Sequence, residues 1–276
     1  MVKLKLGAML LDLSTPRIMG VLNRTPDSFS DGGRFAGLDA ALAQVEKMVS
    51  EGADILDVGG ESTRPGAAEV SLQEEMDRVL PLIEGIRARF PIRISIDTSK
   101  PEVMRAAAEA GAAMINDVYA LRRPGASQAA AAVGTAVCLM HMQGEPRSMQ
   151  NDPHYTDVTE EVKGFLKERA QVALTSGVPK EGIVLDPGFG FGKNLEHNLT
   201  LLRRLPELAE LGYPLLVGLS RKSMIGTLLG GKPVEQRVQG SVAAALIAVQ
   251  NGASIVRVHD VGPTAEALKI AMAARP

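Results

Sequence analysis

Short apolar, β-branched runs alternate along this chain with longer stretches in which apolar residues recur at helical spacing. Strands are predicted at I-M-G-V-L-N (18–23), I-L-D-V (55–58), R-I-S-I-D (93–97), M-I-N-D-V (114–118), V-C-L-M-H (137–141), I-V-L-D (183–186), L-L-V-G-L (215–219) and G-A-S-I-V-R-V-H-D-V (252–261). Between the first two, Leu38, Leu42, Val45 and Val49 form one stripe of a helix that Gly52 stops. Further helices are predicted over roughly 71–89, from the capping-box spacing at Ser99-Lys100-Pro101-Glu102 to Gly111, and in a short alanine-rich stretch before the fifth strand. Others cover roughly 158–176, the stretch from an Asn194 cap to near Gly212, roughly 235–250, and the residues after Pro263. Ahead of the first strand, Lys3, Leu4, Lys5 and Leu6 alternate and Leu10, Leu11 and Leu13 follow before Pro16. That pattern predicts a β-hairpin outside the repeat.

Strands that each lead into a helix argue for parallel pairing through helical crossovers. Eight such units make a single-domain (β/α)8 TIM barrel over residues 1–276, with an N-terminal β-hairpin, the leading architecture. An open doubly wound sheet is the alternative. A repeated phrase favours closure: Gly52, Gly111 and Gly252 each open a G-A-x-I/M-type run. Aligned on that glycine, Asp57, Asn116 and Arg257 fall at the same step of their strands. Side chains alternate between strand faces, so Arg257 and His259 share one face while Val256 and Val258 share the other.

Composition narrows the class of partner. A net charge of −2 argues against a general polyanion binder, so no nucleic acid is expected. The one cysteine, Cys138, lies in an apolar run and reads as a core residue, with no disulfide framework available. The N-terminal residues lack a signal h-region, and the uncharged stretch 124–144 contains glycines, glutamines and a histidine. The expectation is a soluble, cytoplasmic protein with no membrane segment.

Candidate chemistry sits where barrel enzymes keep it, at the C-terminal ends of the strands. Those ends carry Asn23, Asp57, Asp97, Asn116 with Asp117, His141, Asp186, Ser220-Arg221-Lys222, and Arg257 with His259. Asp97, Asn116, Asp186 and Arg257 lie inside apolar runs, where a polar group needs a partner or a ligand. Two carboxylates (Asp97, Asp186), an amide (Asn116) and an ammonium (Lys222) suit a flat, nitrogen-rich heterocycle, since they accept paired N–H groups and donate to a ring carbonyl. Asn23, Arg64, Arg257 and His259 suit an anion, phosphate above all. The alternative for that set is internal salt bridging to Asp57 or Asp260. No histidine pair has zinc spacing, and oxygen ligands beside an anionic substrate point to Mg²⁺.

Two long loops at the same end, T-P-D-S-F-S-D-G-G (25–33) and G-G-E-S-T-R-P-G (59–66), read as lids that supply Ser28, Ser30, Thr63 and Arg64; plain surface loops are the alternative. The loop L-D-P-G-F-G-F-G-K (185–193) resembles a phosphate cradle without the spacing of one, and places Phe189 or Phe191 to stack on an aromatic ligand. S-R-K-S-M-I-G (220–226) reads as the start of a short helix where free N–H groups and Ser223 hold a carboxylate.

These segments, with I-S-I-D-T (94–98), I-N-D-V (115–118), M-H-M-Q-G-x-P (140–146) and R-V-H-D-V (257–261), resemble the dihydropteroate synthase family along nearly the whole chain. Arg24 departs from the pattern, where the family usually has a small apolar residue. The resemblance implies a (β/α)8 barrel, usually a homodimer, that joins 4-aminobenzoate to 6-hydroxymethyl-7,8-dihydropterin diphosphate with Mg²⁺ and is a sulfonamide target in folate biosynthesis. It implies that Asp97, Asn116, Asp186 and Lys222 hold the pterin with Arg257 flanking it, and that Asp97, Lys222 and Arg257 act in catalysis. Arg257, Arg64, His259 and Asn23 would hold the diphosphate, with Asn23 also on the Mg²⁺. Thr63, Arg64, Pro65, Phe191 and Ser223 would form the aminobenzoate site. Three rivals stand beside it: a methyl-transferring pterin barrel, a Schiff-base aldolase using Lys222, and a pterin-binding paralogue without turnover. The lid motifs and S-R-K-S speak against the first, and the polar setting of Lys222 beside Arg221 against the second.

Overall fold

The structure is a computed structural model and describes residues 3–7, 9–23, 33–61, 70–145 and 148–274. Two antiparallel strands, β1 (Lys3–Leu6) and β2 (Met9–Asp12), form the expected hairpin. Eight parallel strands follow: β3 (Arg17–Asn23), β4 (Ile55–Gly59), β5 (Arg93–Asp97), β6 (Met114–Asp117), β7 (Ala136–Met140), β8 (Ile183–Asp186), β9 (Leu215–Val217) and β10 (Ala253–Val258). β10 pairs with both β9 and β3, so the ring is closed and the open-sheet alternative is excluded.

The return segments are α1 (Gly33–Ser50), α2 (Leu72–Arg89), α3 (Pro101–Ala110), α4 (Ala126–Val133), α5 (Val158–Thr175), α6 (Leu195–Arg203), α7 (Leu205–Ala209), α8 (Ser223–Leu228), α9 (Val238–Gln250) and α10 (Val261–Ala273). Outward strand residues such as Leu56, Val58, Ile96, Ile115 and Leu139 pack against helical Val45, Val79, Leu82, Ile86 and Val103 in the larger core.

The inner face is layered by the alternation of strand side chains. Met19, Ile55, Met114, Ala136, Val184, Leu216 and Ile255 form one apolar layer with Leu4, Leu6, Leu11 and Leu13 of the hairpin segment. The hairpin therefore plugs the N-terminal end of the barrel. Two residues further along each strand the same face turns polar, with Asp57, Ser95, Asn116, Asp186 and Arg257 beside Val21 and Cys138. The apolar plug and the polar layer above it direct any ligand to the C-terminal end.

The repeated phrase has a backbone cause. Gly52, Gly111 and Gly252 hold φ at +101°, +123° and +104° at the ends of α1, α3 and α9, where a side chain would be strained. Each turns the chain into the next strand at the same step, so the polar residues five positions on come to one level.

Three local expectations are corrected, and the expected Asn194 cap forms. Ser99 does not cap α3: the N-cap is Lys100, without a side-chain bond, because Pro101 starts the helix one residue later than capping-box spacing requires. A capping box forms instead at Asn194, whose side chain accepts from His197 N–H at 2.9 Å. The helix from Asn194 does not run through to Gly212; it breaks at Arg204, because Pro206 has no N–H to continue it. β10 ends at Val258 and α10 starts at Val261, with Pro263 tolerated in its first turn, where the N–H groups lack helical partners.

Candidate active site

The polar layer is one connected network. Asp57, fully buried on β4, accepts through Oδ2 from Arg257 Nε at 2.6 Å and from Asn116 Nδ2 at 3.0 Å. Arg257 Nη2 reaches on to Asp97 Oδ2 at 2.9 Å. The three residues that share a step of the repeat thus meet across the lumen. Asp57 Oδ1 has no partner among the described residues, which in a buried carboxylate costs about 1–3 kcal/mol. The Asn116 amide must turn its NH₂ toward Asp57, since a carboxylate only accepts, and this leaves its oxygen for something else.

Two acids share one guanidinium here, and Asp97 holds its proton firmly. Burial pushes the Asp97 carboxyl up to about 8; neighbouring Asp57 adds to this and Arg257 opposes it. Burial likewise raises Asp186, against the pull of Lys222. Lys222 is pushed down to about 8 by burial, with Asp186 opposing and Arg257 reinforcing the shift.

Asp186 and Lys222 belong to a second arrangement around residues 186–193. Asp186 Oδ1 accepts from Gly188 N–H at 2.7 Å. The Lys222 ammonium donates to the Phe189 carbonyl and lies 4.6 Å from the centre of the Phe191 ring. Gly188, Gly190 and Gly192 hold φ at +67°, +77° and +63°, and a Cβ on Gly188 would come within 1.8 Å of the His141 carbonyl. These turns spend the loop's N–H groups internally: Gly188 on Asp186, Gly190 on Asn198 and Phe191 on the Gly188 carbonyl. The phosphate-cradle likeness is therefore corrected, because the loop presents carbonyls to cations. Phe189 is buried in the core, and Phe191 alone of the pair stands half-exposed at the mouth.

At the neighbouring ends of β9 and β10, the His259 N–H and ring Nδ1 both engage Ser220 Oγ, at 3.1 and 3.0 Å. Arg221, at φ +59°, forks onto Asp260 at 2.9 and 2.6 Å and takes no part in the Asp57 network. The internal-salt-bridge alternative thus holds in part: Arg257 is paired with Asp57 and Asp97, while Asp260 belongs to Arg221. Asp117, at a strand end beside Asn116, is structural. Its carboxylate accepts from Tyr119 and Leu121 N–H at 2.9 and 2.7 Å and holds Ala120 and Leu121 at positive φ.

Asn23 lies at the end of β3, with its Oδ1 2.8 Å from where a Cβ on Gly59 would sit. Ser223 is the exposed first residue of α8. Arg24, Ser28, Ser30, Thr63, Arg64 and Pro65, and with them the lid reading, lie outside the described residues. The sequence passed over Lys193 and Lys100. Lys100 Nζ bridges Glu61 and Glu75 at 2.5 Å each, at the base of the second long loop. The available signal was a lysine directly following, or closely following, a site motif within an otherwise buried stretch.

A magnesium ion fits this mouth only as a companion of an anionic ligand. Asn23 offers one neutral oxygen, and no cluster of three or more acidic, histidine or cysteine groups that could hold a metal occurs among the described residues. Mg²⁺ accepts such sparse protein ligation when phosphate oxygens complete its shell.

The family described as pterin binding enzyme matches residues 19–259. A dihydropteroate synthase of Haemophilus influenzae is 56% identical over 260 residues, covering 94% of each chain. The chain belongs to the dihydropteroate synthase family of pterin-binding enzymes. The solved Xanthomonas albilineans dihydropteroate synthase with 4-aminobenzoic acid superposes at a TM-score of 0.93, with 52% identity over 100% of this chain and 99% of that one. Its complex with 7,8-dihydropteroate superposes at 0.90, with 50% identity over 99% and 100% of the two chains. A Yersinia pestis dihydropteroate synthase in a sulfonamide drug complex superposes at 0.94, with 53% identity over 99% of both chains. Among the described residues no helix is long and apolar enough to cross a membrane.

Proposed function

We propose that this chain condenses 6-hydroxymethyl-7,8-dihydropterin diphosphate with 4-aminobenzoate, giving 7,8-dihydropteroate and diphosphate. The observation that carries the proposal is the lumen layer itself: carboxylates, an amide and two cations converge on one mouth above an apolar plug. The relatives' complexes with 4-aminobenzoic acid and 7,8-dihydropteroate support the same substrate class.

In this reading Asp186 and Asn116 take the paired N–H groups and acceptor atoms of the pterin edge, and Lys222 donates to its ring. Arg257 keeps Nε on Asp57 and Nη2 on Asp97, and nothing among the described residues occupies Nη1, which is left for the diphosphate. His259, Asn23 and Arg64 complete the anion site. When bound, Mg²⁺ supplies neutralising charge to the leaving diphosphate, and Asn23 is the residue that would hold it. Diphosphate departs first, and the positive charge it leaves on the pterin methylene is stabilised across the conjugated ring by Asp97, whose ionised form that charge favours. The arylamine, neutral at pH 7, then attacks without a general base. Thr63, Arg64 and Pro65, with Phe191 and Ser223, bind the aminobenzoate, and sulfonamides compete there. We further propose that the protein works in the cytoplasm as a homodimer, with the exposed Leu228, Ile247 and Ile270 on α8, α9 and α10 in the contact.

The test combines purified protein, Mg²⁺, the pterin diphosphate and 4-aminobenzoate, and follows diphosphate release with and without the arylamine. Arylamine-dependent release with dihydropteroate formed is expected. Pterin binding without release at any arylamine concentration would instead establish the non-catalytic paralogue. A rate that climbs steeply with arylamine nucleophilicity would overturn the order of steps.

A further inference from the structure

Lys193 ends the glycine-rich loop, and its side chain is buried at 2% exposure. Its nitrogen meets three groups: His141 Nδ1 at 2.9 Å, the Gly188 carbonyl at 2.9 Å and the Phe191 carbonyl at 3.1 Å. Two proton arrangements satisfy every atom. A charged ammonium donates to all three, with the His141 proton on Nε2. A neutral amine donates to the two carbonyls and accepts from His141 Nδ1–H. Burial pushes Lys193 well below the ordinary lysine value and His141 down to about 2, so neither group readily carries charge. Asp186 and Lys222 are the other charges facing Lys193, and they act in opposite directions. Under either arrangement the two carbonyls are gripped, which makes the mechanical consequence independent of the proton count.

Gly188 and Phe191 are the feet of a short arch. Its crown is Phe189, whose carbonyl takes the Lys222 ammonium, and the Phe191 ring flanks the same ammonium. Behind the arch is Lys193; in front is Lys222. A Cβ on Gly190 would stand 3.1 Å from Lys222 Cδ, so the fit leaves the lysine stem little freedom.

We infer that Lys193 is a positioning residue: from behind the 188–191 arch it sets where the Phe189 carbonyl and the Phe191 ring seat the Lys222 ammonium. The inference rests on the proposed roles of Lys222 toward the pterin and Phe191 toward the aminobenzoate. Other bonds also fasten this loop, notably Tyr155 OH to the Gly192 carbonyl at 2.7 Å. That bond provides the control, since it holds the loop without touching the arch.

The experiment compares wild type, Lys193→Met and Tyr155→Phe well below their melting temperatures. Pterin binding is measured by calorimetry, together with KM for 4-aminobenzoate, kcat and the pH profile of kcat/KM. Removing the grip is expected to weaken pterin binding and raise the aminobenzoate KM by about tenfold each, the equivalent of a lost hydrogen bond. It should also move the alkaline limb set by Lys222, whose facing charges are Asp186 and Arg257. Tyr155→Phe should lower the melting temperature and leave that limb in place. Lys193→Met with wild-type constants and an unmoved limb overturns the inference, whatever its melting temperature. If Lys193→Met does not fold, Lys193→Gln decides: its shorter stem cannot donate to both the Gly188 and Phe191 carbonyls as the lysine nitrogen does, and an unmoved limb with unchanged pterin affinity overturns the inference. Wild-type protein without arylamine-dependent release overturns the reaction reading, and pterin affinity still reads the role of Lys193 separately.

Discussion

Asp97 and Asp57 share the guanidinium of Arg257 at 2.9 and 2.6 Å, and the arrangement trades stability for function. Asp97 is raised from 3.8 to about 8, so the folded chain binds its proton more tightly than the unfolded chain does. Stability that Asp97 contributes below about pH 4 is therefore lost as the pH rises through 8. Lys222, lowered from 10.5 to about 8, acts the other way: its cost is present below pH 8 and is relieved between about 8 and 10.5. Asp97→Asn leaves one carboxylate for one guanidinium. It is expected to stabilise the unliganded protein by on the order of 1 kcal/mol near pH 8 and to flatten the decline between about pH 5 and 8, as read by denaturant unfolding. The same variant should lose about 10²–10³-fold in kcat if Asp97 stabilises the developing cation. A variant less stable than wild type at pH 8 would show that burial of two acids carries no net cost here.

Individual elements divide into those that hold the ring and those that aim side chains. The loop at 187–193 belongs to the second kind: its left-handed glycines turn carbonyls toward Lys193 and Lys222, and a side chain at Gly188 has no room. Its resemblance to a phosphate cradle shows why composition alone misleads, because glycine permits either edge of the peptide to face inward. The outer helices pose a different question. Leu228 is 53% exposed, Ile247 44% and Ile270 71%, on consecutive elements α8, α9 and α10 of which the last two pack together. Burial of such a face against a second copy is what the proposed homodimer requires. Ile270→Asp should shift the mass measured by light scattering from dimer to monomer; wild-type protein that is already monomeric removes the proposal.

Across the whole molecule the barrel separates a stabilising end from a working end. Leu4 of the hairpin is fully buried among Met19, Met114 and Ile255, in the apolar layer beneath the polar one. Leu4→Ala is expected to cost about 2–5 kcal/mol in unfolding free energy. Both Michaelis constants should stay within about twofold of wild type at low temperature, since the substrate-facing groups sit toward the C-terminal ends of the strands; a large change in either would mean the plug shapes the site. The sequence by itself determined the order of elements, the hairpin, the closed barrel and the polar end. Apolar periodicity and the three repeated glycines are local signals, and a repeated unit that puts polar residues at one step of each strand implies a common level. It also singled out Asp97, Asn116, Asp186, Lys222 and Arg257 as strand-end residues facing one mouth. Pairing was left to the tertiary structure. Arg257 meets Asp57 across 200 residues of chain and Asp97 across 160, and Lys193 meets His141 across 52. Which acid holds which cation depends on distances across a closed lumen, and no one-dimensional spacing encodes them.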